Sequence, residues 1–174
     1  MSKGIKTLLI VVAVIAVIGF SIYSFFAGNF NKMVSLDEGV KSQWGQVENV
    51  YQRRLDLIPN LVATVKGYAK HESEVFTQIA EARSKAGGVM NISDEVLNNP
   101  ESFKRFQKAQ GELGSALQRL LVVTENYPQL KADANFLALQ DQLEGTENRI
   151  TVERKRYNEV VKDYNEFIRQ FPRS

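Results

Sequence analysis

The chain has 174 residues, 44% of them hydrophobic and 24% charged, with 22 basic against 20 acidic side chains; this mix is that of a globular protein and excludes wholesale disorder. It has no cysteine and one histidine, which excludes disulfides, thiol chemistry and a lipoprotein anchor and removes most catalytic and metal-site templates. With Lys3 and Lys6 set aside, 20 basic residues face 20 acidic ones, so the body of the chain is neutral and offers no basic stripe for nucleic acid.

From Thr7 to Ala27 the chain runs 21 residues without a charge, close to the ~20 a helix needs to cross a bilayer. Lys3 and Lys6 precede the run, and Tyr23, Phe25, Phe26 and Phe30 gather at its far end like an interfacial belt. A cleaved signal has a shorter apolar core, about 7–15 residues, ending in a small-x-small site, whereas here Phe25 stands two before Ala27. Residues 1–28 therefore read as a tip and an uncleaved signal anchor with a single membrane span. The positive-inside bias keeps the short tip in the cytoplasm and puts residues 29–174 outside it.

Ser35-Leu36-Asp37-Glu38 is a capping box, which predicts a helix start just beyond the membrane. Two series with sevenfold spacing follow. One holds Trp44, Tyr51, Ile58, Val65, Glu72 and Ile79; the other holds Val40, Val47, Arg54, Leu61, Tyr68, Val75 and Ala82. This is an a/d coiled-coil pattern over about six heptads, and it predicts a helix ending at Gly87-Gly88. Residues 87–99 read as a polar linker. Asn99-Pro100 then opens a second helix, with Asn as cap and Pro in the first turn. Its stripe is Phe103, Phe106, Gln110, Leu113, Leu117, Leu120, Thr124 and Tyr127, and Tyr127-Pro128 ends it. A third run carries Phe136, Leu143, Ile150, Tyr157, Tyr164 and Phe171, beside Gln140, Glu147, Arg154, Val161 and Ile168. No strand alternation competes. The predicted fold is all-α: a transmembrane helix followed by an elongated up-and-down bundle of three long helices, or four if one breaks near Pro59 or Gly145.

The search for chemistry returns little. His71-Glu72-Ser73-Glu74-Val75 lacks the second histidine of a zinc helix, and one histidine cannot furnish a di-iron bundle site. No G-x-S-x-G elbow and no phosphate loop is present. His71 falls beside the seam, as a solvated or capping residue. No catalytic residue, metal, cofactor or small-molecule substrate is expected, and the chain reads as a non-enzyme. Local rules are broken elsewhere. Pro59, with Asn60 beside it, sits inside a helical run, where proline costs roughly 3 kcal/mol, frees the Leu55 carbonyl and bends the helix. Arg54, Glu72, Gln110, Gln140, Glu147 and Arg154 are polar residues at seam positions. Either they pair with one another inside the bundle and fix its register, or they line a groove for a partner. On the first reading Arg54 and Glu72 each meet an opposite charge or amide from the third run.

The same residues resemble the LemA family of bacterial membrane proteins. The resemblance rests on Trp44, Gln46 and Val47, then on Gln52-Arg53-Arg54-x-Asp56-Leu57-Ile58-Pro59-Asn60-Leu61-Val62, Val65-Lys66-Gly67-Tyr68-Ala69 and His71-Glu72. It continues in Tyr127-Pro128-x-Leu130-Lys131-Ala132, Thr146-Glu147-Asn148-x-Ile150, Arg154-x-x-Tyr157-Asn158, Tyr164-Asn165 and Phe171-Pro172, and so covers about Phe30 to Pro172 without a departure at these positions. It implies an N-terminal membrane helix, a helical bundle and an accessory role at the cell envelope, sometimes linked with stress and membrane proteolysis; it implies no reaction. It also implies a short N-terminus outside, opposite to the charge bias.

Two functions follow as expectations. The first is a single-pass scaffold or adaptor of the bacterial inner membrane, acting through helix–helix contacts, self-association as a homo-oligomer and an unidentified membrane or envelope partner. The alternative is a sensory or regulatory module that switches packing at the Pro59 and Asn60 hinge or at the polar seam.

Overall fold

A computed structural model of the chain describes residues 3–90, 96–97 and 99–170. These residues are helical almost throughout, with no strand among them, as the periodicities require. We label the helices α1 (Lys3–Tyr68), α2 (Ser73–Met90), α3 (Pro100–Thr124), α4 (Pro128–Lys131) and α5 (Ala134–Arg169).

Two compact units divide the chain, residues 45–154 and residues 1–44 with 155–174. The unit holding residues 1–44 includes the apolar start of α1, which is long and apolar enough to cross a membrane, with a mean hydropathy of 2.7 in its most apolar stretch. Its Leu, Ile, Val and Phe side chains lie exposed along this stretch. In the same unit Trp44 is buried and its ring lies 5.2 Å from that of Tyr157.

The unit of residues 45–154 is a helical bundle. Arg83 reaches the Leu55 carbonyl, and Lys66 lies over the Phe76 ring, so α2 runs back along α1. Lys85 pairs with Glu112, and Arg119 with Gln78, so α3 runs back along α2. Arg54 meets Glu147, and Tyr68 meets Asp133, which sets α5 antiparallel to α1. The up-and-down order surrounds one core of Leu55, Ile58, Leu61, Val65, Phe76, Ile79, Leu113, Leu117, Leu120, Leu130, Phe136 and Leu143. Burying a side chain of this kind is worth about 1.5–3 kcal/mol.

Several boundaries differ from those the sequence implies. Ser35 does not start a helix but sits inside α1. Extending a helix already nucleated costs less than starting another, and no proline separates Ala27 from Ser35. Neither Pro59 nor Gly145 breaks its helix; the first heptad run is interrupted instead at Ala69–Glu72, between α1 and α2. The turn keeps continuous bonds, Ala69 N–H to Val65 at 2.9 Å and Glu72 N–H to Ala69 at 3.2 Å. Folding back lets Phe76, Ile79, Ala82 and Ala86 bury against the helix they would otherwise have extended. Gly87-Gly88 does not end the second half, since α2 continues to Met90. Of the expected linker, Gly87 to Met90 is therefore helical, and residues 91–95 and 98 lie outside those described, as does Phe171 of the third stripe. The Asn99 cap forms as read, its Oδ1 accepting from Glu101 N–H at 2.9 Å with Pro100 in the first turn. α3 stops at Thr124, and a short α4 intervenes before α5.

Candidate functional site

Arg54 faces the core because its position repeats the apolar spacing of Val47 and Leu61, and it is only 4% exposed. A guanidinium there needs partners of its own. Its Nη1 donates to Glu147 Oε1 at 2.9 Å, and its Nη2 donates to the Gln110 carbonyl at 3.3 Å and to Gln110 Oε1. The guanidinium carbon lies 5.1 Å from the Tyr51 ring centre. The network thus joins α1, α3 and α5. Arg54 Nε and Gln110 Nε2 are buried without a hydrogen-bond partner among the described residues. Burial pushes the Tyr51 phenol up, and the nearby charges of Arg154 and Arg54 oppose that rise.

The polar seam does not act as one unit. Arg54, Gln110 and Glu147 form the network just described. Gln140 and Glu147 border an open groove between α3 and α5. Arg154 is exposed, and its side chain reaches Tyr51 of the seam. Glu72 is half-buried and, among the described residues, meets neither an opposite charge nor an amide of the third run. Its Oε1 accepts instead from Tyr127 Oη at 3.2 Å, because the chain has already left α1 at this point. Pro59 and Asn60 are both exposed on the outer side of α1, and the Asn60 carbonyl accepts from Thr64 Oγ1 at 2.9 Å.

Two features escape a sequence reading. Arg83 Nε of α2 donates to the Leu55 carbonyl at 3.0 Å, the carbonyl that Pro59 leaves without its helical donor. The turns after α1 and α3 are also clasped crosswise. Tyr68 Oη donates to Asp133 Oδ2 at 2.8 Å while Tyr127 Oη donates to Glu72. The Phe136 N–H and then the Tyr68 hydroxyl hold the Asp133 carboxyl below its usual range. The bond to Asp133 raises Tyr68, and desolvation followed by the Glu72 contact raises Tyr127. Only the tyrosines' presence on the expected stripes hinted at this. His71 beside the clasp is exposed, and among the described residues no group of three or more His, Cys, Asp or Glu is placed to hold a metal ion.

With this geometry, comparison with known proteins is decisive in one respect. A sequence model of the LemA family matches residues 43–174. The chain belongs to the LemA family. Among characterised sequences it is similar to magnetosome protein MamQ 2 of Paramagnetospirillum magneticum, 26% identical over 99% of this chain and 68% of the relative. It is 24% identical, with the same coverage of each chain, to magnetosome protein MamQ of Magnetospirillum gryphiswaldense. Protein LemA of Metamycoplasma hominis is 21% identical over 97% of this chain and 72% of its own length. The residues that carried the family resemblance meet in the fold: Arg54 with Glu147, and Tyr68, Glu72 and Tyr127 at the clasp.

Proposed function

We propose that this LemA-family chain is a non-enzymatic scaffold or adaptor, held by one membrane span at residues 1–28 and working through helix–helix contacts of the bundle in residues 29–174. The observation that carries this reading is the use made of the buried polar groups. Arg54, a buried charged residue of the core, spends its bonds on this chain's own Gln110 and Glu147, which supports a part in fixing helix register. The relatives support it in a weaker way, being named for the magnetosome or for LemA and not for a reaction.

The role includes self-association and an envelope partner at the inner membrane. Crosslinking and affinity recovery of the full-length chain from membranes, wild type against Arg54→Ala, is the test. A partner recovered by the wild type and lost from a variant that still melts cooperatively supports the reading. Light scattering on the detergent-purified chain should give more than one copy per particle, and a strict monomer would remove self-association. The lysines of the tip support a bundle outside the cytoplasm. Because the chain has no cysteine, single cysteines at Ser2 and Glu159 probed with a membrane-impermeant maleimide decide the side directly. Labelling at Ser2 in intact cells reverses the orientation.

A further inference from the structure

In the unit of residues 1–44 and 155–174, α1 and the end of α5 cover one another. Half-burial continues down one stripe of α1 at Val40, Leu36 and Asn29, at helical spacing, and along α5 at Val160, Tyr164, Phe167 and Ile168. The Trp44 and Tyr157 rings, 5.2 Å apart, set the register. The two helices are antiparallel and step one for one: in the other unit, Arg54 with Glu147 and Tyr68 with Asp133 lie fourteen residues apart on each helix. Twelve residues on from Trp44 and Tyr157 the same count brings Lys32 of α1 level with Arg169, where α5 ends. The half-burial of Asn29 shows that the cover reaches this far.

That level has a chemical meaning. Lys32 stands five residues past Ala27, the end of the uncharged run, a rise of about 7.5 Å. The polar headgroup layer on each side of a bilayer is about 5–8 Å deep. Lys32 and Arg169 are both exposed, and neither has an ion pair among the described residues. The nearest carboxylates are already paired, Asp37 and Glu38 with Lys41, and Glu166 with Lys162. No Asp or Glu occurs in residues 28–36 or 167–170. Two free cations at headgroup level match phosphate oxygens, which a guanidinium takes as a fork and an ammonium as a point charge. We infer that the end of α5 is a second membrane contact, at which Arg169 and Lys32 bind lipid headgroup phosphate and favour an anionic lipid. The occupant is the bilayer because the apolar span belongs to the same unit and leads directly into the site. This rests on the reading of residues 1–28 as a membrane span and deepens it.

The test uses the full-length chain. In phosphatidylcholine nanodiscs carrying a nitroxide on the headgroup, single bimane labels are placed by Ser24→Cys in the span and by Glu166→Cys or Glu159→Cys on α5. The Ser24 and Glu166 labels should be quenched. The Glu159 label, about 10 Å further along α5, should be much less so. Native mass spectrometry of the detergent-purified chain then compares added phosphatidylglycerol and phosphatidylcholine. A Lys3→Gln, Lys6→Gln background removes the cations at the other end of the span. Phosphatidylglycerol should bind more tightly, and Arg169→Gln and Lys32→Gln should each weaken it about fivefold. Lys155→Gln, about 21 Å back along α5, should not. An unquenched Glu166 label beside a quenched Ser24 label overturns the inference and keeps the span; an unquenched Ser24 label removes both. Unchanged phosphatidylglycerol affinity in the Arg169→Gln, Lys32→Gln double variant also overturns it.

Discussion

Arg83 Nε donates to the Leu55 carbonyl at 3.0 Å, filling from α2 the bond that Pro59 cannot make in α1. A proline inside a helix normally leaves that acceptor to water or to a bend. Here a neighbouring side chain supplies the donor, so Pro59 and Arg83 act as a pair. Arg83→Met should destabilise the wild type by about 1 kcal/mol and the Pro59→Ala background by less, since an alanine brings its own backbone N–H. A double-mutant cycle by thermal melting in detergent should give a coupling of about 0.5–1 kcal/mol. Strict additivity would show the contact to be incidental.

The Arg54–Glu147 pair is lopsided: the arginine side chain is 4% exposed and the glutamate 43%. Removing the anion strands a buried cation, whereas removing the cation leaves a carboxylate that water can reach. Glu147→Ala should cost about 1–3 kcal/mol, below the value for a fully buried pair because the glutamate is partly solvated. Arg54→Met should cost less or stabilise. Urea unfolding of the two variants decides it, and the reverse order would refute the burial argument.

The crosswise clasp gives stability with two pH edges. Asp133 is held below its usual value of 3.8, so its contribution is present above that value and lost as pH falls through the lower folded one. Tyr68 and Tyr127 are held above 10.0, so theirs is present below 10.0 and lost as pH rises through the higher folded values. Tyr68→Phe with Tyr127→Phe should lower the melting temperature near neutrality and shrink its alkaline fall. A remnant will stay, because burial also raises Tyr51 and Tyr157. An unchanged alkaline limb would place the titration elsewhere.

Gly145 sits inside α5, exposed, with nothing within 4 Å of an added Cβ. Gly145→Ala should therefore stabilise by about 0.5–1 kcal/mol, or raise the melting temperature by roughly 2–4 °C. A fall would show that α5 needs to yield at this point.

Much of the fold could be read from periodicity. The buried faces of Trp44, Tyr51, Ile58 and Val65, and of Phe106 through Leu120, are where the heptads put them. Arg54 meets Glu147 of the third run, one of the two arrangements that the charge balance suggested. What could not be read was where a continuous pattern turns. Nothing local separates Tyr68 from Ser73 in helical character. The turn is held by Asp133, 65 residues beyond Tyr68, and by Tyr127, 55 residues beyond Glu72. Tyr68 is consequently 40% exposed despite a seam position. That Gln140 and Glu147 of the seam border a groove, while Arg54 does not, depends on where α3 meets α5.

Arg54 also constrains the order of events during synthesis. Its partners lie 56 and 93 residues further along the chain, so a nascent α1–α2 hairpin presents a guanidinium with nothing to hold it. The carboxylate arrives only with α5. Until then, closing the core strands a charge. The network therefore postpones a tightly packed state until α5 has been made, and makes that helix a condition for folding rather than an addition to it.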